Sequence, residues 1–344
     1  MNNQEIKIYV GFIGYGEATA KYLPYFLPSL KNQTFKNFEI LAIDNSPARE
    51  NENAVYIRNN FPEIDLKWTG ENLGFGKAFN LMMARAAAAG AEYFLALNPD
   101  MIYEADFIEK LVEAIASDEK IGAVQPKILK WDFEAKKKTE KIDSLGLTLN
   151  KEHRFFDALQ GESDQPDLTG EKEIFGFTGA AVLLRLKALE DIVFENGDHK
   201  EYFDELMFMY KEDCDLSYRL RLAGWRIILA PRAVAYHNRT VAAKGRTNYE
   251  IALNRQAKSR LVKEWSFLNQ WILLLKIKNL PFSLSVKSAT AWYQFKSLVY
   301  ILLFERFLLK EFIKLRQIRP EIKKRRERLK VKIEIKEIEK FMRP

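Results

Sequence analysis

The chain has 344 residues, 47% of them hydrophobic, enough to bury a large core as one big domain or two modest ones. Its single cysteine, Cys214, excludes an intramolecular disulfide and fits a reducing compartment, and no apolar run approaches the roughly 20 residues of a membrane-spanning helix. The net charge of +7 is unevenly placed: Glu311 to Pro344 holds 13 Lys or Arg against 6 Glu, so the body is close to neutral and the tail calls for an anionic surface.

In chain order, Met1 to Glu5 is polar and leads into a strand pattern without the apolar region of a signal peptide. Ile6 to Ile13 reads as the first strand, closed by Gly14-Tyr15-Gly16, and Leu23 to Leu30 has helical spacing interrupted by Pro24 and Pro28. Phe38 to Ile43 is a second strand that ends in the polar turn Asp44-Asn45-Ser46-Pro47. Ala54 to Ile57 and Ile64 to Trp68 read as two short strands joined by a turn around Pro62. Gly74 and Gly76 then feed the alanine-rich run Leu81 to Ala89, a loop at a helix start that suits phosphate oxygens. The glycine spacing matches neither the dinucleotide fingerprint nor a Walker loop.

Tyr93 to Leu97 is a short buried strand that ends abruptly at Asn98-Pro99-Asp100, and such sheet edges are where open α/β folds place their chemistry. Asn98 and Asp100 are the first side chains there able to ligate a metal or a sugar hydroxyl, and Pro99 fixes the backbone between them. Ala105 to Ile115 reads as a helix and Ile121 to Leu129 as a strand. Residues 131–173 are polar, with lysines at 136–138 and an acidic stretch from Asp157 to Glu173, and read as an insertion or mobile surface loop. Core composition returns from Phe175 to Leu184.

The second dense region runs from Tyr202 to Leu220. With a helix starting at Glu212, Asp213 shares its face with Leu216 and Leu220 and sits, partly enclosed, at the helix start. Trp225 to Ala230 reads as a final strand, and Val234 to His237 as a short apolar run ending in an imidazole. His237 either completes a site with Asn98 and Asp100 or serves structure, as lone histidines more often do.

The ordered set Asp44-Asn45-Ser46, Glu71 to Gly76, Leu97 to Asp100, Gly179-Ala180-Ala181, Phe203-Asp204-Glu205, Phe208 to Ser217, Gly224-Trp225-Arg226, Pro231 and His237 resembles family 2 glycosyltransferases of the rhamnosyltransferase-like branch. The resemblance covers about Ile6 to His237. It implies an α/β fold of the GT-A type, a Rossmann-like mixed-sheet nucleotide-sugar-binding domain, over residues 1–243, with residues 244–344 a basic, amphipathic helical extension. It further implies that Asp44 recognises the nucleotide base, Asn72 and Gly74 line the donor site and Asn98 faces the ribose. Asp100 and His237 would hold Mn²⁺ or Mg²⁺, and Asp213 would be the catalytic base of an inverting transfer. Gly14-Tyr15-Gly16 departs from the family's usual Thr-Tyr-Asn, and Asn98 replaces the commoner aspartate.

The implied donor is a dTDP- or UDP-sugar, with rhamnose as the branch's sugar, and the acceptor a surface polysaccharide or lipid-linked glycan. A UDP-hexose donor and a non-catalytic, membrane-associated scaffold are the competing readings. After Lys244, apolar residues at helical spacing (Ile251, Leu253, Leu261, Val262), the block Leu298 to Leu309 and aromatics at Trp265, Trp271, Trp292 and Tyr293 predict helices that lie in a membrane interface beside the basic tail. The expected location is the cytoplasm, peripheral on the inner face of the membrane. Packing of the same helices on the catalytic domain or in a homo-oligomer is the alternative, and no nucleic-acid recognition element accompanies the basic run.

Overall fold

The computed structural model describes residues 6–165, 167–197, 199–239 and 258–343. The expected boundary at 243 and the helix-like positions Ile251, Leu253 and Arg255 lie outside the described residues.

Strands β1 (Ile8–Gly14), β2 (Phe38–Asp44), β3 (Asp65–Trp68) and β4 (Tyr93–Leu97) are parallel and ordered β4-β1-β2-β3. The runs IYVGFIG of β1 and YFLAL of β4 are apolar without alternation because helices cover both sheet faces. A short helix α1 (Gly16–Ala20) follows β1; on one face of the sheet lie α2 (Leu23–Lys31) and α3 (Glu52–Asn60), and on the other α4 (Gly74–Ala88). Ala54 to Ile57 is therefore helical, not a strand. The Asn51 side chain accepts from the amides of Asn53 and Ala54, capping a helix whose Ala54 and Ile57 are buried at a spacing that meets the core. The helix expected from Leu81 starts at Gly74 and takes in both glycines.

The middle of the chain adds β5 (Met101–Tyr103), α5 (Phe107–Ala116), β6 (Ile121–Asp132), β7 (Lys137–Ser144), β8 (Leu147–Asn150), β9 (Phe155–Asp157), β10 (Lys172–Glu173), β11 (Ala181–Arg185), α6 (Leu186–Ile192), β12 (Phe194–Asn196), β13 (His199–Glu201), α7 (Glu212–Leu222) and β14 (Arg226–His237). In the main sheet β11 lies antiparallel between β4 and β6, β14 runs parallel to β6, and β5 pairs antiparallel with β14. The two runs ending at Ala230 and His237 form one strand, with a register shift between Ala230 and Val234 around Pro231. Residues 131–173 are no loose insertion either: they supply β7 to β10, and Asp143 and Ser144 are fully buried.

The C-terminal segment consists of α8 (Arg260–Ile277), α9 (Leu284–Phe304), α10 (Glu311–Glu327), α11 (Ile335–Glu339) and β15 (Met342–Arg343), which pairs parallel with β8. Serines cap the first two helices: Ser259 Oγ accepts from Val262 N and Ser283 Oγ from Val286 N. Ile272, Leu273, Ile277, Ile335 and Ile338 pack with Tyr218 and Leu222 of α7 into one apolar cluster. Each such burial contributes about 1.5–3 kcal/mol. The basic tail is therefore not wholly turned to solvent: the Arg325 guanidinium is buried on Asp204 and Glu201. Trp265 and Trp271, expected as membrane anchors, pack internally against Phe208 and Phe312. Among the described residues no helix is long and apolar enough to cross a membrane.

Candidate active site

The carboxyl ends of β1, β2 and β4 share one edge, and the polar turns after them build one wall of the site. Asp44 closes β2 and is 0% exposed, its Oδ1 accepting from Ser46 N (3.0 Å) and its Oδ2 from Asn51 Nδ2 (2.6 Å). Both carboxylate oxygens thus hold the turn itself. Ser46 Oγ accepts from Gly16 N, linking the turns after β1 and β2. Asn72 Oδ1 accepts from Gly74 N at 2.9 Å, and Asn45 Nδ2 donates to both Asn72 Oδ1 and the Gly74 carbonyl. Gly74 has φ +75°, and a Cβ there would lie 2.4 Å from the Phe208 carbonyl oxygen, so this position needs glycine twice over. A cavity of about 330 Å³ opens beside Asn72, lined by Glu71, Leu73, Lys77, Glu205, Met207 and Phe208.

The Asn98-Pro99-Asp100 turn is held from two sides. Asn98 N donates to the Ala180 carbonyl (2.8 Å), and the Asp100 carbonyl accepts from Asn238 N (2.9 Å). Because β5 and β14 pair with His237 opposite Met101, Asp100 and His237 meet although 137 residues separate them. His237 Nε2 stands 3.2 Å from Asp100 Oδ2, and its Nδ1 stands 2.8 Å from Asp143 Oδ2. Arg239 Nε contacts the same Asp143 oxygen at 3.1 Å and its guanidinium reaches Asp157 Oδ2 at 2.6 Å. Burial pulls the His237 pKa down, but the Asp100 charge and the bonds to both carboxylates outweigh it and raise the value to about 9. Burial likewise opposes the charge on Asp143, yet His237 and Arg239 hold its pKa below the usual aspartate value.

This donor set fits a divalent cation. With the pKa raised to about 9 both ring nitrogens carry protons near neutral pH, and a cation would replace the Nε2 proton while Nδ1 goes on donating to Asp143, the orientation that a carboxylate behind an imidazole imposes on a metal ligand. The 3.2 Å between Nε2 and Oδ2 matches two neighbouring ligands on one ion, whose bonds are about 2.0–2.2 Å long. Another group, His199, Glu201 and Glu205, brings three ligand atoms within 4.8 Å of one another. There Glu201 is already bound by Arg325 and Glu205 accepts from Asn80 Nδ2, so both carboxylates are engaged structurally. A larger groove of about 680 Å³ between α4, α6 and β13 is lined by none of the expected site residues.

Asp213 occupies the first turn of α7, as its spacing predicts. Its Oδ2 accepts from Gly179 N at 3.0 Å and its Oδ1 from Cys214 N at 2.7 Å. Adjacent residues therefore serve both halves of the site, the Gly179 amide holding Asp213 and the Ala180 carbonyl holding Asn98. Burial raises the Asp213 pKa above the ordinary value, the two amides oppose the rise, and the nearby Asp157 charge adds to it. Glu212 is buried beside it, and burial together with the Asp213 charge pushes its pKa well above the carboxylate range. Each charge opposes ionisation of the other carboxyl, so the two titrate as a pair.

Asp143, Asp157 and Arg239 complete the charged row, and sequence reasoning missed all three. Asp157 stood at the head of an acidic stretch, but nothing local marks Asp143 or Arg239, whose partners come from other strands.

The family model described as "Glycosyl transferase family 2" matches residues 12–193. An N-acetylglucosaminyl-diphospho-decaprenol L-rhamnosyltransferase of Mycobacterium tuberculosis is 28% identical over 234 residues, covering 63% of this chain and 72% of its own length. The solved structure of GalNAc-T7 with UDP, GalNAc and Mn²⁺ aligns with a TM-score of 0.56 at 12% identity over 89% of this chain, which spans 58% of that one. S. aureus TarS 1–349 in complex with UDP aligns with a TM-score of 0.50 at 16% identity, over 88% of this chain and 73% of that one. At these identities the two structures speak to the fold, an α/β glycosyltransferase architecture of the GT-A type.

Proposed function

The chain belongs to glycosyl transferase family 2, and from that premise we propose that it is an inverting, metal-dependent transferase that moves a sugar, rhamnose first among candidates, from a nucleoside diphosphate to a surface polysaccharide or lipid-linked glycan. The observation that supports this reading is the shared turn at Gly179-Ala180, whose hydrogen bonds tie Asp213, read as the base, to the strand end beside the Asp100–His237 pair, read as the metal ligands. The M. tuberculosis relative, named for rhamnosyl transfer to a diphospho-decaprenol, supports the sugar and the acceptor class.

In this reading residues 1–243 form the catalytic domain and 244–344 a helical extension. Asp44 shapes the base pocket from within its turn, Asn72 and Gly74 line the donor site, and Asn98 faces the ribose. Asp100 and His237 would hold Mn²⁺ or Mg²⁺, which would supply Lewis-acid stabilisation to the departing diphosphate. Asp213 accepts the acceptor hydroxyl proton as that oxygen bonds to the anomeric carbon and the bond to the diphosphate oxygen breaks. One displacement from the opposite face inverts the anomeric centre, with no carboxylate nucleophile. The carboxylates Asp100, Asp143 and Asp157 are neutralised in part by His237 and Arg239, leaving net negative charge where a cation would sit.

The same reading includes peripheral membrane attachment through the helical extension, centred on α9, which carries Trp292 and Tyr293 of the expected anchors. Trp292 (60% exposed), Phe295 (57%), Val299, Leu302 and Leu303 line one exposed face of that helix. Lys287 and Lys296 of the helix and Arg306 just beyond it are exposed, while Glu305 is buried. An apolar strip in a cationic field suits an anionic leaflet. Thr290 Oγ1 bonds the Lys151 carbonyl and Arg154 covers the Tyr293 ring, so α9 adjoins the segment that carries Asp157 on to the site.

A panel of dTDP- and UDP-sugars with Mn²⁺ or Mg²⁺, read by thermal shift and by slow donor hydrolysis, tests the proposal. One donor stabilising the protein only with metal, and hydrolysed slowly, supports it and identifies the sugar. No stabilisation by any donor with either metal overturns it.

A further inference from the structure

The loop between β13 and α7 enters α7 through two consecutive non-glycine residues in the left-handed region, Tyr210 (φ 74°) and Lys211 (φ 69°). Such residues each cost on the order of 1–3 kcal/mol and persist only where the surroundings over-determine them. The restraint comes from α8. Asn269, 1% exposed, donates through one Nδ2 to two successive carbonyls, Met209 O at 2.9 Å and Tyr210 O at 2.7 Å. One turn earlier Trp265 lies against Phe208 (centroids 5.1 Å apart) and Tyr210 (6.4 Å). Two turns later Lys276, 1% exposed, places its ammonium 2.5 Å from Asp204 Oδ2 and in contact with Asp215, two residues beyond Asp213. Arg325 of α10 bonds the other Asp204 oxygen at 2.8 Å.

Trp265, Asn269 and Lys276 are four and seven residues apart, so one face of α8 grips the loop at three levels. From the opposite side the Phe208 carbonyl accepts from Phe75 N in the donor turn at 3.1 Å. The loop is thereby clamped between the donor turn and a helix of the C-terminal segment, and its far end is the base.

We infer that Asn269 and Lys276 are positioning residues for the base Asp213: the C-terminal segment completes the catalytic site by holding the strained entry to α7. This rests on the reading of Asp213 as the base. Neither residue touches substrate in this scheme; each acts through the backbone or through Asp204 and Asp215, and a misplacement of the base by about 1 Å costs on the order of 10²-fold in rate.

The test uses the full chain carrying Asn269→Leu, with Asn269→Ser as the milder variant and Lys276→Met alongside. Two readouts are taken: amide hydrogen exchange across residues 205–217, and kcat with donor affinity on the donor identified by the panel. Expected are at least tenfold faster exchange at 208–213, a loss of kcat of tenfold or more, and unchanged donor affinity. Unchanged exchange in both Asn269 variants overturns the inference, as does loss of kcat, donor affinity and melting temperature together, which marks a merely structural role. If the wild type turns over no donor, the functional reading fails by itself, and the exchange result still decides whether α8 restrains the loop.

Discussion

The backbone amide of Gly179 donates to Asp213 Oδ2 across 3.0 Å, and its neighbour Ala180 accepts from the amide of Asn98. A single turn thus ties the carboxylate read as base to the strand end read as the donor and metal side. Asp213→Asn keeps the size of the side chain and removes the proton acceptor, losing one of the two backbone bonds because an amide nitrogen cannot accept. Turnover should fall about 10²–10⁴-fold with donor binding retained. In the wild type, the acid limb of kcat should lie above the range of an ordinary aspartate, since burial raises this pKa and the base works only when ionised. A pH profile unchanged between wild type and variant would remove Asp213 from the role.

Asp143 stands behind His237 at 2.8 Å and orients its ring. Asp100→Asn should abolish metal-dependent stabilisation by donor. Asp143→Asn, one shell out, should weaken Mn²⁺ affinity about 10–100-fold. Titration of Mn²⁺ into the full chain with nucleoside diphosphate present separates the two. Equal affinity in all three proteins would place the cation elsewhere.

Gly74→Ala meets both a positive φ and a backbone oxygen 2.4 Å from the new Cβ. The donor turn must shift away from the loop that carries Phe208. We expect a destabilisation of about 2 kcal/mol or more, measured by urea unfolding, because positive φ and a backbone clash add. Gly16 also has positive φ, but no atom lies within 4 Å of its added Cβ, so Gly16→Ala should cost less than half as much.

His153 bonds the Tyr218 hydroxyl at 2.7 Å and its backbone carbonyl accepts from Gln270 of α8, at the seam with the C-terminal helices. Burial lowers its pKa from 6.5 to about 4, against a small opposing pull from Glu339. Above pH 6.5 neither state binds the proton. As pH falls from 6.5 towards 4 the unfolded chain takes it up and the folded chain does not, so stability is lost, by about 3 kcal/mol when the window is crossed. The drop in unfolding free energy between pH 7 and 4.5 should be visibly smaller for His153→Gln. Parallel curves for the two proteins would show that His153 is not buried neutral.

Trp292 and Phe295 stack at 5.6 Å on the exposed face of α9. Replacing both by serine should lower cosedimentation with phosphatidylglycerol vesicles at least tenfold and leave melting temperature unchanged, since both rings stand in solvent. Concentration-dependent dimerisation of the wild type, abolished by the same pair, would assign the face to a second copy instead.

By itself, the sequence determined the strands that lead into Asp44 and into the Asn98-Pro99-Asp100 turn, the helix that carries Asp213 in its first turn and the motif order that matches the family, because these depend on local runs of apolar residues and on turn chemistry. It misread Ala54 to Ile57, where four residues cannot distinguish strand from helix until the Asn51 cap and the buried face are known. It read 131–173 as loose because polar composition hides the burial of the last three residues of β7, Ile142 to Ser144. Only the tertiary structure decided that Asp143, His237 and Arg239 form one charged row, since strand pairing across about a hundred residues brings them together. The same holds for the C-terminal segment. Its basic and aromatic residues look alike in sequence, and folding divides them: Arg325, Lys276 and Trp265 turn inward to acids and rings of the catalytic body, while Trp292 and Phe295, with no such partners, face out. A buried cation is stable only beside carboxylates that desolvation leaves charged, and which cations find them is a property of packing rather than of spacing.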